Sequence, residues 1–217
     1  MLSFLRPTQP RRTDISKLNP IPFEDGRSVV KFHPPGSSFA MTHTIPPTTP
    51  GNGPSILQPP FHYHISQAES FVVRSGRGGF WLGTSAEPFV TLSTDLGQSS
   101  TAAIPPKRRH KFENASQTDP LVVDVRLDPE KHDQEQRFFR NFFGYLDDCR
   151  KANSAPSLFQ LMVFLHAADT PLALPVPNET LAFWVSRAFL IVMAFWGRWM
   201  LGYKDSYPEY YETPKSK

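Results

Sequence analysis

Two histidines and a glutamate stand close together in the stretch PPFHYHISQAE, residues 59–69. His62 and His64 are two residues apart, so on a strand both side chains point to the same side. Glu69 follows five residues after His64, and a turn or bulge between them would bring its carboxylate to the same point. Two imidazoles and a carboxylate suit a borderline divalent metal such as Fe(II), Mn(II), Ni(II), Cu(II) or Zn(II). The spacing therefore predicts a metal site whose fourth ligand comes from another strand.

The composition divides the chain around these residues into three regions. Residues 1–50 are rich in proline, which disfavours long helices and central strands, so we expect an extended arm that adds an edge strand or two. Residues 51–128 hold short β-branched and aromatic runs separated by turns, the pattern of a β-sandwich or small barrel. Residues 129–217 change to a helical period and form the predicted C-terminal extension.

Apolar residues four positions apart indicate the first helix of this extension. Phe138 and Phe142 form one such pair and Phe139 and Phe143 another, so one helix face is apolar. Two further apolar segments are long enough for helices. The predicted helices cover residues 135–151, 157–168 and 180–203.

Composition and charge argue against several classes of protein. The 217 residues carry a net charge of +3, and much of the basic excess lies in two short clusters rather than along a stripe, so we expect no nucleic-acid partner. Cys149 is the one cysteine of the sequence, so no internal disulfide can form. The first residues lack the apolar core of a secretory signal, which predicts a cytoplasmic protein.

Two motifs of the sequence resemble the two signatures of the cupin superfamily. His62-x-His64-x4-Glu69-x6-Gly76 resembles the first signature, and Pro105-x4-His110-x3-Asn114 resembles the second. The resemblance implies a mainly β fold, a jelly-roll barrel of the double-stranded β-helix type. It also implies that a divalent metal is held by four side chains, those of His62, His64, Glu69 and His110.

The resemblance also suggests roles for the residues around the metal. Two glycines of the family's turns are replaced here, by Ile56 and Lys107, which concerns the turns more than the ligands. Glu69 is expected to double as a general base, because burial in an apolar barrel raises the pKa of a carboxyl group. The predicted substrate-binding residues either alternate with the ligands along the strand, so that they face the same side, or belong to the second motif. They are Phe71, Val73, Phe112 and Asn114.

The later part of the chain is similar to a fungal group of small cupin proteins. The similarity includes RFFRNFFGYLDDCRK and the ending Trp199-Met-Leu-Gly-Tyr203 with SYPEYY. It implies an oxidoreductase, with Fe(II) as the expected metal, that tailors a polyketide or aromatic intermediate of secondary metabolism. Two alternatives stay open at this point, a non-redox isomerase, cyclase or dehydratase and a non-catalytic protein that binds a small molecule.

The apolar segment 181–203 allows three interpretations. It is long enough for a membrane span, but Arg187 and Arg198 interrupt it and lie on one side of a helix. The segment could instead lie on a membrane surface with snorkelling arginines, or pack on the barrel or on a second copy of the chain. We therefore expect either peripheral membrane contact or a homodimer contact through this helix.

Overall fold

The computed structural model of the chain describes residue 4 and residues 6–212. Within this part of the chain there are nine strands and three α-helices, together with a short 3-10 turn at Glu24–Gly26 and a π-helical turn at Trp196–Met200. The strands are β1 Ile21–Phe23, β2 Ser28–Phe32, β3 Met41–Ile45, β4 Ala68–Ser75, β5 Arg77–Leu82, β6 Val90–Ser93, β7 Thr101–Ile104, β8 His110–Asn114 and β9 Leu121–Asp128. The helices are α1 His132–Lys151, α2 Leu158–Ala167 and α3 Glu179–Phe195.

The strands form two antiparallel sheets that face each other. One sheet has six strands in the order β1-β2-β3-β9-β4-β7, and the other has three in the order β6-β5-β8. The chain passes from the first sheet to the second between β4 and β5. Gly76 makes this corner with a φ of +79°, and a Cβ there would lie 2.3 Å from the Pro120 carbonyl oxygen. The predicted mainly β fold, a barrel-like pair of sheets followed by a helical extension, is confirmed.

The proline-rich arm contributes more of the barrel than an edge strand or two. β3 lies inside the six-stranded sheet, between β2 and β9, so the sheet reaches across the predicted boundary at residue 50. The prolines permit this because β2 (SVVKF) and β3 (MTHTI) contain none. Pro22 lies on β1, an edge strand, where a missing N–H is tolerated.

Aromatic packing joins the two sheets and attaches the helices. Phe71 of β4 packs on Phe80 and Phe112 of the other sheet, with ring centroids 4.9 and 5.0 Å apart. Phe143 of α1 lies 6.1 Å from Phe23, which places the apolar face of α1 against the barrel. Asp148 of α1 accepts hydrogen bonds from the backbone of Thr13 at 2.8 Å and the hydroxyl of Tyr210 at 2.7 Å. α1 thus holds segments from both ends of the chain.

One turn near the candidate site has a left-handed backbone at a residue other than glycine. Lys107 has a φ of +63°, at the position where the resembled family has glycine, and its N–H donates to the His64 carbonyl at 2.8 Å. The side chain is exposed. A side chain in this region of φ costs roughly 1–2 kcal/mol.

We expect Lys107→Gly to raise the free energy of unfolding by up to about 1 kcal/mol, because the strain that it removes, roughly 1–2 kcal/mol, exceeds the roughly 0.5–1 kcal/mol that glycine costs through the greater freedom of the unfolded chain. Urea unfolding followed by circular dichroism measures the change. Arg108→Gly is the matched control, since Arg108 is not among the residues with positive φ. The control should lower stability through the greater freedom of the unfolded chain. Destabilisation by Lys107→Gly would contradict the strain argument.

Candidate metal centre

Three elements of the barrel bring the predicted ligands together. His62 and His64 precede β4, and a pair of 3.0 Å hydrogen bonds joins the backbones of His62 and His110. Glu69 is on β4 and His110 begins β8. All four side chains are buried, with exposed fractions between 1% and 7%. The two sequence motifs thus meet inside the barrel, as the resemblance implies.

The separations of the ligand atoms fit one shared ion. Nε2 of His62 is 3.3 Å from Nε2 of His64, and Oε2 of Glu69 is 2.8 Å from Nε2 of His110 and 3.4 Å from Nε2 of His64. One ligand atom from each of the four residues lies within 4.8 Å of all the others. Ligand atoms bound about 2.1 Å from a common ion are no more than about 4.2 Å apart. The cluster therefore nearly matches the size of a coordination sphere.

The far nitrogens of two histidines fix which ring nitrogen faces the centre. Nδ1 of His62 lies 2.9 Å from the Pro60 carbonyl, and Nδ1 of His110 lies 2.8 Å from the Arg108 carbonyl. A carbonyl oxygen can only accept, so each Nδ1 carries the hydrogen and donates it. In a neutral ring Nε2 is then the unprotonated nitrogen and can bind a metal. Nε2 of His110 also lies 2.8 Å from Oε2 of Glu69, and in a protonated ring it would donate a hydrogen bond to this carboxylate.

Thr170 gives His64 the same orientation. The Thr170 hydroxyl donates to the Ala168 carbonyl at 3.0 Å and therefore accepts from Nδ1 of His64, at 3.4 Å. Thr170 follows α2, in a segment whose backbone pairs with the segment that carries His62 and His64. Backbone hydrogen bonds from Tyr63 to Pro171 and from Ala173 to Phe61 make this pairing. The helical extension thus supports the candidate centre directly.

We expect Thr170→Val to lower the affinity for Zn(II) about tenfold, because His64 loses the group that orients its ring. Competition with a chromophoric chelator measures the affinity. Thr170→Ser is the matched control, since it keeps the hydroxyl and should bind Zn(II) with nearly the affinity of the wild type. Equal affinities in the valine and serine variants would contradict a role for the hydroxyl.

The charge state of Glu69 differs from the prediction. Burial does raise the pKa of Glu69, as expected, but the neighbouring His64 and His110 outweigh burial and hold the pKa well below its usual range. The expected raised pKa is thus wrong, because the sequence argument considered burial without the facing imidazoles. The lowered pKa keeps Glu69 ionised at neutral pH, and the ionised carboxylate is the form that binds a metal.

The imidazole of His62 is in the form that a metal requires. Burial, together with the nearby His110 and His64, lowers the pKa of His62 well below its usual value. His62 is therefore neutral at neutral pH, and its Nε2 is available as a ligand.

A largely apolar cavity of about 260 Å³ opens beside the cluster. Metal ligands form one wall, and the aromatic face of α1 with two leucines of α2 forms the opposite wall. The lining includes His62, His64, Glu69, His43, Phe112, Phe138, Phe139, Phe142, Phe143, Leu146, Leu161, Leu165, Thr170 and Leu172. A cavity of this kind, apolar with a few convergent polar groups, is typical of a small-molecule site.

The structure separates the four predicted substrate-binding residues. Phe112 lines the cavity. Phe71 and Val73 do point inward, but they are buried in the hydrophobic core and do not line it. Asn114 donates to the carbonyls of Ile45 and Asp119 at 3.0 and 2.9 Å and so holds a turn. The alternation of side chains along a strand predicts which residues face the core, but it does not predict which of those residues border the cavity.

Sequence reasoning missed three polar residues that line the cavity, His43, Gln58 and Thr170. None of them belongs to either of the two motifs. The phenylalanines of α1 were predicted as an apolar helix face, without the cavity that they border. A buried histidine in the strand pattern MTHTI was the available signal for His43, since alternation places it on the same side as Met41 and Ile45.

Curated proteins similar to this chain come from fungi. Over 198 residues the chain is 35% identical to "Probable oxidoreductase virH" of Hypocrea virens, which covers 89% of the chain and 81% of that protein. It is 29% identical over 205 residues to "Oxidoreductase iacF" of Pestalotiopsis fici, covering 86% of the chain and 96% of that protein. No family model matches the sequence.

Two solved structures match about half of the chain at low sequence identity. The cupin domain of Schizosaccharomyces pombe Cnp3 is 10% identical, with a TM-score of 0.37 over 56% of this chain and 70% of that one. KdgF from a Halomonas species is 15% identical, with a TM-score of 0.36 over 49% of this chain and 83% of that one.

Proposed function

Because the chain belongs to the family of fungal oxidoreductases that includes virH of Hypocrea virens, we propose that it is a metal-dependent, cupin-type oxidoreductase acting on an aromatic or polyketide-like molecule. The observation that carries the proposal is the opening of the His62, His64, Glu69 and His110 cluster into an apolar cavity. Substrates of this kind are intermediates of fungal secondary metabolism, which is the proposed setting.

Fe(II) is the proposed metal. Three imidazoles and one carboxylate suit several divalent ions, but Zn(II) has no redox chemistry of its own. A redox-active ion held by these four side chains would supply the means to activate dioxygen, which is the proposed oxidant.

The chain's own residues bind the substrate and exclude water from it. Phe138, Phe139 and Phe142 of α1 cover the side of the cavity away from the ligands, so an aromatic substrate exchanges water for ring contacts there. Hydrogen bonds at Nδ1 orient the three imidazole rings: His62 bonds to the Pro60 carbonyl, His110 to the Arg108 carbonyl and His64 to the Thr170 hydroxyl. The pocket thus presents an apolar surface for the substrate's body and a polar end for its reacting group.

The test is oxidation of small aromatics by purified protein loaded with Fe(II). We expect salicyl alcohol, salicylaldehyde and 1-naphthol, as a panel, to include at least one compound whose oxidation consumes dioxygen, followed by an oxygen electrode and mass spectrometry. Iron-loaded His132→Ala is the control for surface-bound metal, since His132 lies outside the cluster. Its activity should equal that of the wild type.

The outcomes distinguish the proposed function from its alternatives. Conversion of a panel compound at equal rates under argon and air would favour a non-redox isomerase, cyclase or dehydratase. Binding of the panel compounds with no chemical change, with or without iron, would favour a small-molecule-binding protein. Either result would overturn the oxidoreductase proposal.

A further inference from the structure

His43 is a buried polar side chain whose ring nitrogens have no partner within residues 6–212. It lies in the middle of β3, paired with Val30 and Val123 on the neighbouring strands, and is 3% exposed. Neither Nδ1 nor Nε2 has a hydrogen-bond partner in the described part of the chain. A buried polar group left unpaired costs about 1–3 kcal/mol, so an apolar residue would serve the fold better here.

The surroundings of His43 leave the cavity as the place where its nitrogens can find a partner. The rings of Phe112, Phe139 and Phe143 surround it, with centroids 6.4, 6.2 and 5.8 Å away. These rings offer no conventional hydrogen-bonding atom, whereas His43 itself lines the cavity together with Glu69. Burial lowers the pKa of His43 to about 4, with the charge of Glu69 opposing the shift. At neutral pH the imidazole is therefore neutral, with one donor and one acceptor nitrogen.

We propose that His43 is a substrate-binding residue that hydrogen-bonds a hydroxyl or carbonyl oxygen on the otherwise apolar ring system held in the cavity. Such a bond satisfies a nitrogen that the fold leaves unpaired, and it distinguishes oxygen-bearing aromatics from plain hydrocarbons. The cavity of about 260 Å³ suits a compact ligand such as a two-ring aromatic. The proposal rests on the proposed function to the extent that the same cavity receives the substrate.

The test compares 1-naphthol with naphthalene, two probes that differ by one hydroxyl. Binding is measured by fluorescence titration of the metal-free protein in excess chelator, so that no metal contributes to the difference. We expect the wild type to bind 1-naphthol about fivefold to tenfold more tightly than naphthalene, the worth of one hydrogen bond. His43→Phe keeps a ring and removes both nitrogens, so it should bind the two probes equally. His43→Leu is a second variant in case the larger ring disturbs packing.

A control variant separates the polar contact from the shape of the cavity. Phe142→Leu changes the apolar wall and should alter the affinities for both probes by the same factor. Persistence of the full 1-naphthol preference in both His43 variants would overturn the role of His43 while leaving the cavity as a ligand site. Equal binding of both probes by the wild type would do the same. Failure of the wild type to bind either probe would overturn the cavity itself, and with it this proposal.

A second and independent observation concerns the outer face of α3 and the π-helical turn that continues it. The inner face, which includes Phe183, Leu190 and Ala194, is buried, and Leu190 and Ala194 pack with Met162 and Leu165 of α2. By length and composition Glu179–Met200 could cross a membrane, with a mean hydropathy of 1.6. Only 33% of its most apolar 18-residue stretch is buried against the rest of the protein, so most of this apolar helix is not covered by the described part of the chain. The outer face consists of Leu181, Trp184, Val185, Ile191, Val192, Phe195, Trp196 and Trp199, all exposed.

We propose that the outer face of α3 lies on an anionic lipid surface. The helix begins at Glu179, and from there to residue 204 the other charged residues are Arg187, Arg198 and Lys204, so the segment carries a net positive charge. Arg198 contacts Asp205 at 2.5 Å, which leaves the charges of Arg187 and Lys204 to complement lipid headgroups. A second copy would present the same positive charges, and like charges oppose such a pairing. Tryptophans beside arginines are typical of helices that lie in the membrane interface.

The test is flotation of the full chain with vesicles of phosphatidylcholine, with and without 30% phosphatidylglycerol. We expect binding to the anionic vesicles that weakens at high salt, and a loss of at least roughly tenfold in the variant Trp184→Gln/Trp199→Gln. Leu96→Gln is the control, because Leu96 is a fully exposed apolar residue in the loop between β6 and β7, outside α3, and the variant should bind like the wild type. Absence of vesicle binding would overturn the proposal, and a dimer seen by light scattering and lost in the tryptophan variant would assign the face to a second copy instead.

Discussion

Purified His62→Ala protein is expected to hold less than about a tenth of an equivalent of divalent metal under conditions where the wild type holds one. Even residues that only orient metal ligands are worth about 10- to 100-fold in affinity, so loss of a ligand costs more than about 100-fold. The remaining His64, Glu69 and His110 also lose the fourth ligand that completes the converging set. Plasma mass spectrometry after dialysis against Fe(II), Mn(II) or Zn(II) measures the content.

The same variant should lose the stabilisation that metal gives the fold. A ligand present at about a thousand times its dissociation constant, and bound only by the native state, stabilises by about 4 kcal/mol. The wild type should therefore unfold at a lower temperature once chelator is added, and His62→Ala should not respond. His132→Ala carries the same substitution at a histidine that contacts Glu130 and Gln136, outside the cluster, and should behave like the wild type. One full equivalent of metal in His62→Ala would contradict the assigned site.

The four residues of the cluster could be predicted because each belongs to a short motif with fixed spacing. Strand alternation brings His62 and His64 to one side, and the second motif supplies His110. The orientation of the rings could not be predicted, since it depends on the carbonyls of Pro60 and Arg108 and on Thr170, which acts from a distant segment.

The fold was predictable where local pattern and final environment agree. The i, i+4 phenylalanines of α1 and the short strands after residue 51 are examples. The central position of β3 in the sheet could not be predicted from its own five residues, because β3 pairs with β9, about eighty residues later in the chain. For the same reason the five residues of β3 do not show that His43 borders the cavity. Its place in the cavity requires β3 inside the sheet and α1 folded across it.

His43 gives the second large expected effect, a change in how stability depends on pH. The pKa of His43 is lowered by burial to about 4 in the folded protein, while an unfolded histidine has a pKa of about 6.5. Between these values the unfolded chain binds a proton that the native state does not, so stability is present above pH 6.5 and is lost as the pH falls towards 4. At 1.36 kcal/mol for each pKa unit the loss amounts to about 3 kcal/mol.

We therefore expect the free energy of unfolding of the wild type, relative to His43→Phe, to fall by about 3 kcal/mol between pH 6.5 and pH 4. Urea unfolding at half-unit pH intervals measures both proteins, with chelator present so that metal release does not contribute. The other ionisable groups that line the cavity are present in both proteins, so their effects largely cancel in the difference. Parallel pH profiles would show that His43 is hydrated or partnered in the folded state. A widening gap would establish that the fold keeps a neutral imidazole in an apolar cavity at a cost to its own stability, which is the condition under which a bound ligand gains from pairing with it.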